Sequence, residues 1–407
     1  MRLSTSWMYQ QSVNNMLAQQ SALSITENQV SSGQRINVAS DDPAGAGQVV
    51  SLNHVIAANT QYTSNINNAT TSLNAESSTL SSINTVLTTA RTLALQAING
   101  TMSNSDLNSI ASQISQIRQQ VVQLANGTDA NGNALFAGTS SATPFQVGAN
   151  GTVTYQGNGQ QQHTSVGSGL QIATNDSGAG LFMNIPTGNG TFQASAGSSN
   201  TGTLVVGANS VSDLSAWNSS VASSGGGYTI TFGAGGSWSA TNANGAAVLD
   251  SSGNPVTGTY TDDGSISFNG MSISMDGTPS AGDTVSVQAG GTQDIFSTLT
   301  NMINALQSGG SSTQITNALN RQVESLDQTQ NSISNVQVAV GGRLDTLQQQ
   351  SSTYSDLNVT YQTALSDVQN VDAYTAISNL SLQQTALQAS QQLFAQVKSM
   401  SLFDYLK

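Results

Sequence analysis

Leu319, Leu326, Ile333, Val340, Leu347, Tyr354, Tyr361 and Val368 stand seven residues apart. A seven-residue repeat of large side chains, sustained this long, fits a long helix that buries one narrow seam against another helix. The helix is expected to begin near Ser312, after the turn signal Gly309-Gly310. Past residue 368 the register slips, and Ala373, Leu380, Leu387 and Phe394 carry a new seam toward the C-terminus. Gly341-Gly342 interrupt the long helix at some cost in propensity and mark either a close helix approach or a kink.

A matching pattern lies near the other end of the chain. Asp42-Pro43 supply an N-cap and a first-turn proline, so a helix should start there and stop near Asn99-Gly100. Leu52, Asn59, Ile66, Leu73, Leu80, Leu87 and Ala94 form its first seam. Val49, Ile56 and Thr63 start a second one, which shifts to Ala69, Glu76, Ile83, Ala90 and Ala97. An earlier helix should run from about Ser4 to Ser32, with Val13, Met16, Leu23 and Val30 as a partial stripe and Gly33 as its stop. Two shorter helices complete the set. One follows Ser105 and uses Leu107, Ile110, Ile114, Ile117, Val121 and Leu124; the other uses Ile295, Leu299, Met302 and Leu306. The two long helices each hold about 56 residues, or ~85 Å at 1.5 Å per residue. Their equal lengths on either side of an insertion suggest side-by-side pairing; membership of an ordinary helical bundle is the alternative. Either way the seams are core.

Between the helical zones the pattern changes to short alternating runs such as Tyr228-Thr229-Ile230-Thr231-Phe232 and Ile273-Ser274-Met275, separated by Asn158-Gly159, Asn244-Gly245 and Asn269-Gly270. These read as strands and hairpin turns. The fold class is therefore α+β: long N- and C-terminal helices pair into a coiled-coil-like helical core that carries an inserted, mainly-β domain.

Only 7% of the 407 residues are charged, against about a quarter in ordinary chains. The formal net charge is -13, and the two lysines are Lys398 and Lys407. This leaves no basic patch for nucleic acid or an anionic membrane. No apolar run approaches the roughly 18 residues of a membrane span. The start, Met1-Arg2-Leu3-Ser4-Thr5-Ser6-Trp7, is not followed by the apolar stretch of a cleaved signal peptide. The chain has no cysteine, which removes disulfides, thiolate metal sites and cysteine nucleophiles.

The remaining polar motifs read as structure. His54 and His163, the two histidines, have no second ligand at metal-binding spacing. Asp129-Ala130-Asn131-Gly132-Asn133 begins like a calcium loop, but Ala134 and Ser140 stand where glycine and glutamate are required, so it reads as a turn. Asp262-Asp263-Gly264 is a turn signal with a weak cation-binding alternative. Asp41-Asp42 suits a helix cap better than acid–base work. Gly45-Ala46-Gly47 follows no strand and is no phosphate loop. No nucleophile, base and orienting group fall into a set, so no catalytic, cofactor-binding or metal site is expected and the chain reads as a non-enzyme.

SSGQRINVASDDPAGAG at 31–47 resembles the N-terminal signature of the bacterial flagellin superfamily, and the stretch from Ser355 to Ser390 resembles its C-terminal signature. Three further segments are similar to the superfamily's hook-filament junction members: LFAGTSSATPF at 135–145, the stretch at 282–306, and the ending SLFDYLK. The resemblance is weakest between about 186 and 264. It implies a flagellar structural component, exported unfolded without a cleaved signal and located outside the cell at the hook-filament junction. It also implies a homo-oligomeric ring, the first hook-associated protein on the hook side, flagellin on the filament side, and an export apparatus with an export chaperone.

The implied organisation is a terminal helical assembly domain (1–42 with 369–407), a helical core (43–140 with 292–368) and the β insert (141–291, one subdomain or two). Leu3, Trp7, Val13, Met16, Leu23, Leu380, Leu387, Phe394, Leu402, Phe403 and Tyr405 are candidate assembly contacts, with intramolecular core as the alternative. Residues near 1–40 and 370–407 are expected to be mobile in the monomer and to order on assembly. Arg35 and Asp41 are either an ion pair at the turn or solvated. A filament flagellin is the nearest alternative function, and a surface adhesin acting through the β insert is the next.

Overall fold

The computed structural model describes residues 5–99 and 102–399. Chain contacts divide into two compact units, residues 1–64 with 349–407 and residues 65–348.

In the first unit, α1 (Thr5–Ser32) packs along α7 (Ala373–Ser399). They run antiparallel, since Tyr9 meets Phe394 at 4.9 Å while Gln34 bridges Asn370. Gly33 ends α1 at φ 72°, a left-handed conformation that glycine adopts without strain. The turn after it is stitched to the far end of the chain: Arg35 N–H donates to the Gln369 carbonyl and Val371 N–H to that of Gly33. Asp42 caps α2 (Pro43–Asn99), accepting from Gly45 N–H at 3.0 Å, as the Asp-Pro pair predicts. Asp372 caps α7 by accepting from Tyr374 and Thr375 N–H. Arg35 pairs with Asp42 at 3.1 Å and not with Asp41, whose carboxylate instead accepts from the backbone of Asn37 and Val38. Tyr62 of α2 stacks on Tyr354 of α6 (Ser312–Gln369) with ring centres 5.5 Å apart.

The helical part of the second unit pairs the remaining length of α2 and α6 antiparallel. Arg91 lies 2.7 Å from Asp327, and Gln330 donates to both Asn84 and Thr88. Both α2 seams are buried from Ile66 to Ala97, Glu76 included, and the α6 seam is buried from Leu319 to Leu347. α3 (Asn104–Ala125) and α5 (Ile295–Gln307) pack on each other and join the same hydrophobic cluster, each burying the apolar stripe its spacing predicts. α3 starts at Asn104 rather than after Ser105, because Ser103 and Asp106 form a reciprocal capping box. Gly341 and Gly342 interrupt nothing: α6 runs through them, and an added Cβ at either would meet no atom within 4 Å.

The β segments fall into two groups. β1 (Phe145–Val147) pairs β2 (Val153–Tyr155), and β3 (His163–Gly167) pairs β4 (Leu170–Ala173). After a π-helical turn at Ala179–Met183, β5 (Ile185–Pro186) pairs β14 (Thr292–Gln293). Phe145, Val153, Leu181 and Phe182 share the hydrophobic cluster of the helices. The strands between have a core of their own, centred on Phe192, Trp217, Tyr228, Ile230, Phe232, Ile273 and Val287. There β6 (Phe192–Ala196), β8 (Gly227–Phe232), β9 (Ser237–Asn242), β10 (Thr257–Thr259) and β13 (Thr284–Ala289) form an antiparallel sheet in the order 10-9-8-13-6. A second sheet has the order 11-12-7, from β7 (Val205–Val211), β11 (Ser265–Phe268) and β12 (Met271–Asp276). Helix α4 (Leu214–Ser223) presses Trp217 into the same core.

No strand hydrogen-bonds to the outer edge of β7, although β6 lies close to it, and α6 side chains supply the missing partners. Asn317 accepts from Val206 N–H at 2.7 Å and donates to the Leu204 carbonyl, and Asn320 donates to the Val206 carbonyl. Arg321, only 6% exposed, donates to the carbonyls of Ala194, Val206 and Gly207. It also lies 3.0 Å from Glu324, which accepts from Asn209. Open edge groups would otherwise remain unsatisfied or invite another strand.

Candidate assembly surface

α1 and α7 are built from uncharged residues. Across the described lengths Glu27 and Lys398 are the only charged side chains. Their mutual packing covers little of them: Thr26 is the one buried residue described in α1 and Ala376 the one in α7. Val13, Met16, Leu23, Leu380, Leu387 and Phe394 are half-buried where the two helices meet. Ala373, expected at the head of the C-terminal seam, is exposed, and Ala376 takes its place one turn on.

Outside this seam lies a second set of apolar side chains. Trp7, Leu17 and Ile25 on α1 are exposed, as are Tyr374, Ile377, Leu382 and Leu393 on α7, with Tyr374 exposed over 92% of its surface; Tyr9, also exposed, lies against Phe394 of the seam. Trp7 is a residue the sequence nominated; the others, off the seven-residue spacing, were not. Leu3, Leu402, Phe403 and Tyr405 lie outside the described residues. Exposed apolar side chains are thus concentrated on two helices that carry almost no charge.

Asp129 accepts from the N–H groups of Asn131 and Asn133 and from Ser72, which makes the calcium-like segment a turn and holds its carboxyl below the usual range despite partial burial. His54 and His163 are exposed, and His163 Nδ1 lies 3.0 Å from the Gln161 carbonyl. Asp262, Asp263 and Asp276 bring carboxylate oxygens within 4.8 Å of one another at the surface, and repulsion from Asp276 and Asp262 raises Asp263. Asp262 is spent on the turn, accepting from the N–H of Gly277 and of Asp263. No helix among the described residues is long and apolar enough to cross a membrane.

The profile of the bacterial flagellin N-terminal helical region matches residues 3–141, and that of the C-terminal helical region matches 323–406. Among curated proteins, the flagellar hook-associated protein 3 of Salmonella typhimurium is 34% identical over 186 residues, which is 46% of this chain and 58% of that protein. The chain's match thus spans little more than half of that relative. Among solved structures, FlgL of Xanthomonas campestris is similar with a TM-score of 0.69 at 30% identity, covering 77% of this chain and 99% of that one. A hook-associated protein-3 from Legionella pneumophila gives 0.70 at 28% identity, covering 78% and 98%.

Proposed function

The chain belongs to the bacterial flagellin family, and from that premise we propose that it is a structural, non-enzymatic subunit joining the flagellar hook to the filament. The observation that carries this reading is the likeness to FlgL, which takes in 99% of the Xanthomonas chain and so extends well beyond the end helices common to the family. The bare apolar faces of α1 and α7 supply the physical means.

In this reading the chain works outside the cell, as one copy in a homo-oligomeric ring. It takes the first hook-associated protein on the hook side and flagellin on the filament side, after delivery by the flagellar export apparatus and an export chaperone. The terminal segments, 1–42 with 369–407, form the assembly domain, on which Leu3, Trp7, Val13, Met16, Leu23, Leu380, Leu387, Phe394, Leu402, Phe403 and Tyr405 are the contact candidates. Residues 43–140 with 292–368 form the core that carries the insert, 141–291.

Deletion of the gene tests the proposal. A junction subunit, once lost, leaves hooks without filaments and flagellin free in the medium, and the full-length gene restores filaments. Filaments of normal length in the deletion strain would rule the reading out.

A further inference from the structure

Glu76 occupies a seam position of α2 between Ala69 and Ile83 and is fully buried. A carboxyl there is costly unless specific partners meet it. Its Oε1 accepts from the backbone N–H of Asp176, in the segment between β4 and the π-helical turn, at 3.1 Å. Both oxygens of the Asp176 carboxylate lie 2.9 Å from Nη2 of Arg343 on α6, and Gln161 donates to the same group. Glu76 Oε2 and Arg343 Nη1 have no hydrogen-bond partner. Asp176 and Arg343 are the two charged groups that face Glu76.

The seams of α2 and α6 repeat every seven residues, so a lengthwise slide of seven would again set apolar layers against apolar layers. It would not rebuild the polar cluster. Glu76 would then stand level with Val336 or Gln350 in place of Arg343, leaving a buried carboxyl with no cation nearby. Asp176 would lose its bidentate partner in the same movement.

We infer that Glu76, Asp176 and Arg343 form a register lock, which selects one lengthwise alignment of α2 and α6 and ties the segment around Asp176 to both. Burial, then the charge of Asp176, push Glu76 up to about 8 against the opposing pull of Arg343. A neutral Glu76 leaves Asp176 and Arg343 as a clean ion pair; an ionised one sets two carboxylates against one guanidinium. Its folded pKa stands above the unfolded value of 4.5. The stability this proton contributes is therefore complete below about pH 4.5 and lost as pH rises through about 8.

The absence of cysteine lets alignment be read with paired thiols in the full chain. Thr88→Cys with Gln330→Cys reports the native alignment, since those side chains meet at 2.9 Å. Thr88→Cys with Val323→Cys or Gln337→Cys reports a slide of seven. With a short bismaleimide linker, the parent should cross-link at the native pair alone, and the Glu76→Leu, Arg343→Leu background should cross-link at a slid pair as well. Cross-linking only at the native pair in that background overturns the lock. The milder Glu76→Gln keeps the shape. The parent's thermal midpoint should fall between about pH 5 and about pH 9, and Glu76→Gln should remove part of that fall, the rest coming from Glu324, which burial pushes up to about 7; superimposable profiles would also overturn it.

Discussion

Arg35 reaches the carboxylate of Asp42 through Nη1 at 3.1 Å while its Nη2 donates to the carbonyl of Val368 at 2.8 Å. The other oxygen of Asp42 caps α2. One arginine therefore joins the start of α2 to the last turn of α6, and the hydrogen bonds at Gly45, chiefly, and from Arg35 hold the Asp42 carboxyl below its usual range.

Replacing Asp42 by alanine should remove cap and ion pair together, whereas asparagine should retain most of the cap. Hydrogen exchange at Gly45 and Ala46 should accelerate several-fold in Asp42→Ala and change little in Asp42→Asn. Equal acceleration in both variants would mean that the charge, and not the cap, organises the turn.

Two arginines in the second unit should differ sharply. Arg91 and Asp327 form an exposed pair, so Arg91→Ala should cost about 0–1 kcal/mol in urea unfolding. Arg321→Ala should cost about 3 kcal/mol or more, because it strands the carbonyls of Ala194 and Gly207 and leaves Glu324 without its cation. Comparable losses from the two variants would show that α6 does not act as the missing neighbour of β7.

Exchange in the dilute monomer should separate α1 and α7 from the rest. Few of their residues are buried, whereas α2 from Ile66 to Ala97 is buried along two seams. Amides of α1 and α7 should exchange much faster than those of α2 in the monomer and become protected on assembly. Equal protection in a verified monomer would contradict an assembly role for those helices.

The seven-residue spacings made the helical seams legible, since a helix with that repeat has one face to bury. They also placed Glu76 inside the seam, but its partners come from a loop and from a helix far along the chain, and no local spacing connects them. Spacing could not choose between adjacent acids either: Asp41 was nominated for Arg35, and the geometry of the turn selects Asp42. The clamp of Asn317, Asn320 and Arg321 on β7 follows from a strand edge left open by the sheet order, which exists only after folding. In α1 and α7, periodicity picked out Val13, Met16, Leu23, Leu380, Leu387 and Phe394, which are half-buried. Leu17, Ile25, Tyr374 and Ile377 stand out only because nothing covers them.

The junction role is tested most directly by immunogold labelling of intact flagella from the source bacterium, using antibody raised against residues 186–264. Gold confined to the boundary between hook and filament is the expected result. Gold along the whole filament would make the chain a filament flagellin and contradict the account.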